Sequence, residues 1–153
     1  MQTVNEIESA LSKHPFLSGL DPEYISRIAS WSEQVEFAED EYLCRSRHPA
    51  NRLYLTTSGC VALGLDHPSK GLQVVQTLDA PAVVGISWLS PPYESCYDGK
   101  AMTPVEAISI DAPKLRQTLE EDCGFAYEMF RRLNTVFAER LQASALQLMD
   151  LYD

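Results

Sequence analysis

Apolar residues recur along this chain with three successive periods. Ile7, Ala10 and Leu11 stand at i, i+3 and i+4, with Thr3 and Glu6 at capping-box spacing ahead of them, which predicts a short amphipathic helix to about Lys13, stopped by His14-Pro15. Asp21-Pro22-Glu23 supplies a cap, a proline at the first helical position and a first-turn acid. Ile25, Ile28 and Ala29 continue a second helix to near Trp31. From Gln34 the period shortens. Val35/Phe37, Tyr42-Leu43, Leu53/Leu55, Val61/Leu63/Leu65, Leu72/Val74, Val83-Val84 and Val105 to Ile110 read as short strands. The turns between them, such as Glu39-Asp40, Ser58-Gly59 and Asp79-Ala80-Pro81, have the spacing of an antiparallel sandwich or barrel.

Past Asp111-Ala112-Pro113 the helical period returns at Leu115 and Leu119, and a long helix is predicted from about Gly124 to the C-terminus. Ala126, Phe130, Leu133, Phe137, Leu141, Ser144, Leu148 and Leu151 form one stripe in which 126, 137 and 148 repeat at an eleven-residue interval. Such a helix is roughly 40 Å long at about 1.5 Å per residue, more than a small barrel covers. The stripe at Phe130, Leu133, Phe137, Leu141 and Leu148 is therefore expected to be partly exposed and to meet a partner chain, a homodimer being the simplest case. The expected organisation is one domain over 1–153, with N-terminal helices to 33, a β-barrel over 34–111 and C-terminal helices over 112–153.

Composition narrows the function classes. At 153 residues with 45% apolar and 22% charged side chains, the chain suits one globular domain and excludes disorder or a rod. A formal charge of −10 repels a phosphate backbone, so no nucleic-acid partner is expected. No window approaches 18 apolar residues and the first residues show neither a basic start nor an apolar run, so neither a membrane partner nor export is expected. Cys44, Cys60, Cys96 and Cys123 lack metal-ligand spacing and read as reduced thiols in a cytoplasmic protein. His14, His48 and His67 each precede a proline and are expected in turns rather than in a metal triad. Without a nucleophile elbow, a phosphate loop or a zinc-helix motif, the chain is read as non-catalytic.

Local words add a resemblance. Phe16-Leu17-Ser18-Gly19-Leu20, then Pro49-Ala50-Asn51-Arg52-Leu53-Tyr54-Leu55 with Ser58-Gly59-Cys60-Val61-Ala62-Leu63, resemble the entry segment and the first hairpin of cyclic-nucleotide-binding domains. Val84-Gly85-Ile86-Ser87-Trp88-Leu89 with Pro91-Pro92-Tyr93, and Arg140-Leu141-Gln142-Ala143, resemble a stand-alone branch of the Crp/Fnr-like group. The resemblance spans nearly the whole chain. It implies an α+β fold: an antiparallel β jelly-roll barrel, or double-stranded β-helix, with N-terminal helices and a long C-terminal helix. It also implies a regulatory role, and small members of this kind can serve as accessory subunits of redox assemblies such as NAD-coupled hydrogenases. The helix-turn-helix domain of the group's transcription factors has no counterpart before Asp153.

The resemblance further implies a phosphate-binding cassette in which a Gly-Glu pair holds a ribose and an arginine pairs with a cyclic phosphate. A carboxylate accepts a hydroxyl proton, and a guanidinium meets a phosphate with a planar fork. Here Gly85 matches the glycine, Ile86 stands in the place of the acid, and the arginine position falls at about Ser95. Lys100 is the only cation between Val83 and Pro104. The candidate ligand site is accordingly a degenerate cassette of Gly85, Ile86, Ser87, Trp88, Ser95, Tyr97 and Lys100. Its expected properties are weak cyclic-nucleotide binding and action through protein association. The alternative is a sensor that holds a cyclic nucleotide or another nucleotide through Lys100, Ser87 and backbone amides. Trp88 is expected to fill the barrel mouth. Arg45, Arg47, His48 and Arg52 are expected to be a solvated turn rather than an anion site, and Asp40, Arg47 and Ala80 occupy turn positions where glycine is usual in the family.

Overall fold

The computed structural model describes residues 4–152, so the capping box that begins at Thr3 lies outside the described residues. Two helices, α1 (Val4–Lys13) and α2 (Pro22–Ala29), lead into eight strands. These are β1 (Ser32–Phe37), β2 (Tyr42–Cys44), β3 (Arg52–Ser58), β4 (Cys60–His67), β5 (Gly71–Asp79), β6 (Ala82–Val84), β7 (Asp98–Ala101) and β8 (Val105–Asp111). Helices α3 (Ala112–Glu121) and α4 (Cys123–Leu151) close the chain. Asp21, Asp111 and Asp122 cap α2, α3 and α4, each carboxylate accepting a backbone N–H of the first turn.

All strand pairings are antiparallel, in two four-stranded sheets ordered β1-β8-β3-β6 and β2-β7-β4-β5. The expected jelly roll is therefore the observed one. The first sheet is buried on both faces. Leu53, Leu55, Ile108 and Ile110 join a core with the helices, while Val84, Val105 and Ala107 face Leu43, Val61, Leu63 and Ala101 across the sandwich. That double burial explains why β8 reads as an almost continuous apolar run. No helix among the described residues is long and apolar enough to cross a membrane.

Strand β7, Asp98-Gly99-Lys100-Ala101, was not expected, because nothing in it favours a strand by propensity. Position supplies what propensity does not. It pairs with β2 on one side and β4 on the other, and Gly99 lies so close to Cys44 that a Cβ there would approach its sulfur to 2.9 Å. Asp98 anchors it: one oxygen accepts from the Ser46 N–H at 2.8 Å and Arg45 Nε at 3.2 Å, the other from the Asp66 N–H at 3.0 Å. Arg45 also meets Asp66 at 2.8 Å and stacks on the Tyr42 ring. It is thus tied into the strand ends rather than solvated. Arg47 and Asp40 take φ values of 68° and 75°, so those two positions do have the left-handed backbone that favours glycine, while Ala80 does not.

His14 fastens the N-terminal helices to the barrel. Its Nδ1 accepts the Phe16 N–H at 3.2 Å, which leaves the Nε2 proton to donate to the Thr56 carbonyl at 3.1 Å. Burial draws its pKa below the ordinary histidine value.

Asp98 generates a stability prediction with a sign. Its burial raises the pKa, but the Ser46, Asp66 and Arg45 hydrogen bonds together hold it below the ordinary carboxylate range. The folded value being depressed, this stabilisation is complete above the unfolded pKa near ~3.9 and is lost as pH falls through the folded value. Asp98→Ala should cost about 2–4 kcal/mol in urea unfolding at pH 7, by leaving three donors without their acceptor. In Asp98→Asn the part of the acid transition below about pH 4 that belongs to this group should flatten. An unaltered acid limb would mean that other carboxylates carry it.

Candidate functional site

The site is built where β6 leaves the first sheet. Gly85 has φ +88°, and a Cβ there would sit 2.8 Å from the Arg52 carbonyl oxygen, so both the turn and the close approach require glycine. Ile86 then opens a single 3-10 turn, Ser87–Leu89, which aims Ser87 back across the loop, where its hydroxyl accepts the Cys96 N–H at 3.4 Å. The returning strand is held by paired backbone bonds, Arg47 N–H to the Ser95 carbonyl and Ser95 N–H to the His48 carbonyl.

Between this loop, the end of β2, the middle of β4 and β5, and one side of α4 lies a cavity of about 440 Å³. Gly85, Ile86, Ser87, Ser95 and Tyr97 line it, as expected from the sequence. Two expected members do not. Trp88 is fully buried on the other side of the loop, in the core shared with α3, where its carbonyl accepts from Arg116. It therefore does not fill the barrel mouth, because the 3-10 turn points the indole away from it. Lys100 also lies outside the cavity. Gly99 takes the inward position in β7, so by strand alternation the Lys100 ammonium faces out, 3.6 Å from Asp40 and over the Tyr42 ring. The two side chains proposed to plug and to charge the site thus do neither.

The cavity's cation is Arg140, some forty residues beyond the cassette, on α4. Its Nη2 donates to the Val83 carbonyl, and the Arg140 carbonyl accepts from Gln76 Nε2 at 3.1 Å, which ties the helix to one edge strand of each sheet, β6 and β5. Burial draws its pKa down from the ordinary guanidinium value. No carboxylate forms an ion pair with it among the described residues. The Cys44 thiol on the cavity wall is pushed up to about 11 by burial, so it is neutral at pH 7 and offers no counter-charge. Glu94 stands at the cavity wall as an exposed carboxylate. Phe137, Leu141 and Ser144 of α4 complete the lining.

The expected interface stripe divides in two. Leu133 is 1% exposed and packs with Phe125 and Met129 on the barrel core, so it belongs to no partner surface. Phe130, Phe137, Leu141 and Leu148 are exposed. A periodic stripe shows that a face exists, and here the covered face and the open one lie side by side. All four cysteines are free, and no group of three or more potential ligands could hold a metal among the described residues.

Comparison with known proteins agrees with this architecture. A curated relative, the CRP-like cAMP-activated global transcriptional regulator of Mycobacterium tuberculosis, is 24% identical over 146 residues covering 95% of this chain. The chain spans 63% of that relative's length. A cyclic nucleotide-binding domain from Methylobacillus flagellatus shares the fold with a TM-score of 0.76 at 20% identity, over 96% of this chain and 83% of that one. The sensor domain of the transcriptional regulator DNR from Pseudomonas aeruginosa follows it with a TM-score of 0.73 at 17% identity, over 93% and 95%. The model of the cyclic nucleotide-binding domain matches residues 34–122, the barrel through α3, and this chain belongs to that family.

Proposed function

We propose that this chain is a non-catalytic regulatory module whose cavity takes a small organic anion with an apolar body, anchored by Arg140 from α4 rather than by the phosphate cassette, and that it acts through protein association along α4. One observation carries the reading: a half-buried guanidinium without an ion-pair partner among the described residues lines a mostly apolar cavity of about 440 Å³. That volume lies within the usual range for small-molecule sites, which combine apolar walls with a few polar groups. A guanidinium has five donors, and only one of Arg140's is engaged by Val83, so an incoming carboxylate or phosphate monoester oxygen finds a charge-assisted partner ready.

The cassette argues against tight cyclic-nucleotide binding. Ile86 lines the cavity at the place of the ribose acceptor and cannot accept a hydrogen bond, and Ser95 lines it at the place of the phosphate cation. Each charge-assisted bond missing from a desolvated ligand forfeits about 1.5–3 kcal/mol. The relative named as cAMP-activated supports a second reading, a cyclic nucleotide held in the same cavity on Arg140 alone.

Thermal shift separates these readings. A ligand with Kd of about 1 µM present at about 100 µM stabilises by about 2.7 kcal/mol, several degrees in a domain of this size. Under the first reading cAMP at that concentration should move the Tm by less than about 1 °C, while one or more members of a panel of aromatic and medium-chain carboxylates should move it by more. Arg140→Gln should abolish that response. A cAMP shift of several degrees that vanishes in Arg140→Gln would transfer the site to the second reading, and any shift that survives the substitution would remove Arg140 as the anchor.

Restoring the cassette tests the same geometry from the other side. Ile86→Glu combined with Ser95→Arg should raise cAMP affinity at least about tenfold in isothermal titration, since both positions line the cavity. That gain corresponds to about 1.4 kcal/mol, within the worth of a single charge-assisted hydrogen bond. No gain would place the obstacle in the shape of the loop rather than in two side chains.

A further inference from the structure

The turn between β2 and β3, expected only as a solvated cluster of cations, closes a cavity of about 210 Å³. Strand β2 belongs to one sheet and β3 to the other, so residues 45–51 cross from sheet to sheet at one end of the sandwich. Leu53 and Leu55 face the helices, so by alternation Arg52 and Tyr54 face the space between the sheets, where the Tyr54 ring meets Phe37 edge-on at 5.5 Å. Arg45, His48 and Asn51 line the same cavity from the turn, and Cys44 and Ser95 form a wall that it shares with the larger cavity beside α4. No carboxylate among the described residues lines it.

The polar side chains around this cavity are donors with nothing to donate to. The Tyr54 hydroxyl, the His48 ring, the Asn51 amide and the Arg52 guanidinium make no hydrogen bond among the described residues. Arg52 reaches only Glu33, at 4.0 Å, which is beyond hydrogen-bond length. Burial raises the pKa of the Tyr54 phenol, which is therefore protonated and a donor at neutral pH. Arg45 is already held in place: its Nε is on Asp98, its Nη2 on Asp66, and its guanidinium carbon lies 3.9 Å from the centre of the Tyr42 ring, which leaves Nη1. The Tyr42 hydroxyl is itself spent on Asp66. On a chain of net charge −10, the charges around the turn balance, with Arg45, Arg47 and Arg52 set against Asp66, Asp98 and Glu33.

We infer that this cavity is a site for an inorganic tetrahedral oxyanion, phosphate or sulfate. Its size favours a small guest: about 210 Å³ is below the ~300–1,000 Å³ of small-molecule sites, so it takes a single anionic group and not the body of a nucleotide. The directions of its donors favour a tetrahedral one. A carboxylate is met in its own plane by one guanidinium fork, whereas here donors arrive from β3, from the turn and from the end of β2, as oxygens at the corners of a tetrahedron require. Arg45 is fixed by two carboxylates and a ring, so it loses little freedom when it meets the anion. The site is independent of the anion assigned to Arg140. That cavity lies across the wall of Cys44 and Ser95, and Gly85, Ile86 and Ser87 line it and not this one.

Isothermal titration of the full chain with sodium phosphate and with sodium sulfate, each against sodium chloride of matched ionic strength, reads this site directly. At least one of the two anions should bind at one site per chain with a Kd of about 1 mM or tighter, while chloride gives only heats of dilution. Arg52→Gln should weaken that binding at least about tenfold and Tyr54→Phe about fivefold, with the circular dichroism of both variants unchanged. A preference for sulfate marks an acceptor-only guest, and a preference for phosphate one whose proton is taken by Asn51 Oδ1 or a His48 nitrogen; either upholds the site. Failure of both anions to bind overturns it. Binding that survives both substitutions, or that is lost in Arg140→Gln, also overturns it, in the second case by placing the anion in the cavity beside α4. The response of Arg140 to carboxylates is measured separately and does not depend on this result.

Discussion

Helix α4 is fixed to the barrel by three side chains in its first three turns, Phe125, Met129 and Leu133, each nearly or wholly buried. The cavity wall and the open face of the helix both depend on that anchorage. Fully burying side chains of this size is worth about 1.5–3 kcal/mol apiece, enough to fix the direction of a helix whose remaining four to five turns have little else to rest on. Beyond Leu133 the contacts become polar: the Arg140 guanidinium to the Val83 carbonyl, and Gln76 to the Arg140 carbonyl. Apolar burial thus sets where the helix lies, and a few hydrogen bonds set how closely its second half approaches the two sheets. On the reading proposed above, the latter are the bonds that a ligand on Arg140 competes for.

The cassette shows which of its parts belong to the fold and which to ligand chemistry. Gly85 is demanded by its own backbone and by the Arg52 carbonyl, whether or not a ligand is present. A carboxylate at 86 or an arginine at 95 has no such structural task, and Ile86 and Ser95 fit the loop without strain. On the reading proposed above, the loop geometry is kept while the charge that holds an anion comes from another element, Arg140 of α4. Glycine alone, in such a loop, is evidence of a turn and not of a nucleotide.

Most of the fold was legible because burial follows periodicity: alternation of apolar residues in β1 and β3, a nearly continuous apolar run in β8, helical spacing in α1 and α2, and aspartate caps before α2 and α3. Strand β7 was not, since Asp98-Gly99-Lys100-Ala101 owes its conformation to two neighbouring strands and to the acceptors of Asp98, none of which is a local signal. The site was legible in its loop and illegible in its charge. Lys100 was singled out as the nearest cation in sequence, whereas strand alternation, with Gly99 and Ala101 turned inward, already directs it outward. Arg140 carried a signal that could have been read: one cation set between Phe137, Leu141 and Ser144 on an apolar face. Trp88 was misplaced because composition cannot say to which side a 3-10 turn throws its central residue. Leu133 was misplaced because one stripe in a helical wheel can hold two adjacent faces, and only the length of the barrel decides where one ends.

The net charge bears on how the anion proposed above would reach this cavity. A chain of −10 repels a negative ligand at long range, but at physiological ionic strength that field decays over about 8 Å, and within the cavity Arg140 is the nearest charge. Attraction is thus confined to the last few ångströms, where low polarity strengthens it, and repulsion acts on the approach. Added salt screens the approach more than the partly desolvated contact, so it should quicken entry with little loss of hold, the reverse of a site on a basic surface. The same division bears on the association proposed along α4: on that reading the contact is made by shape and apolar area at the exposed Phe137 and Leu141, and because both side chains also line the cavity, whatever moves them there moves the contact too.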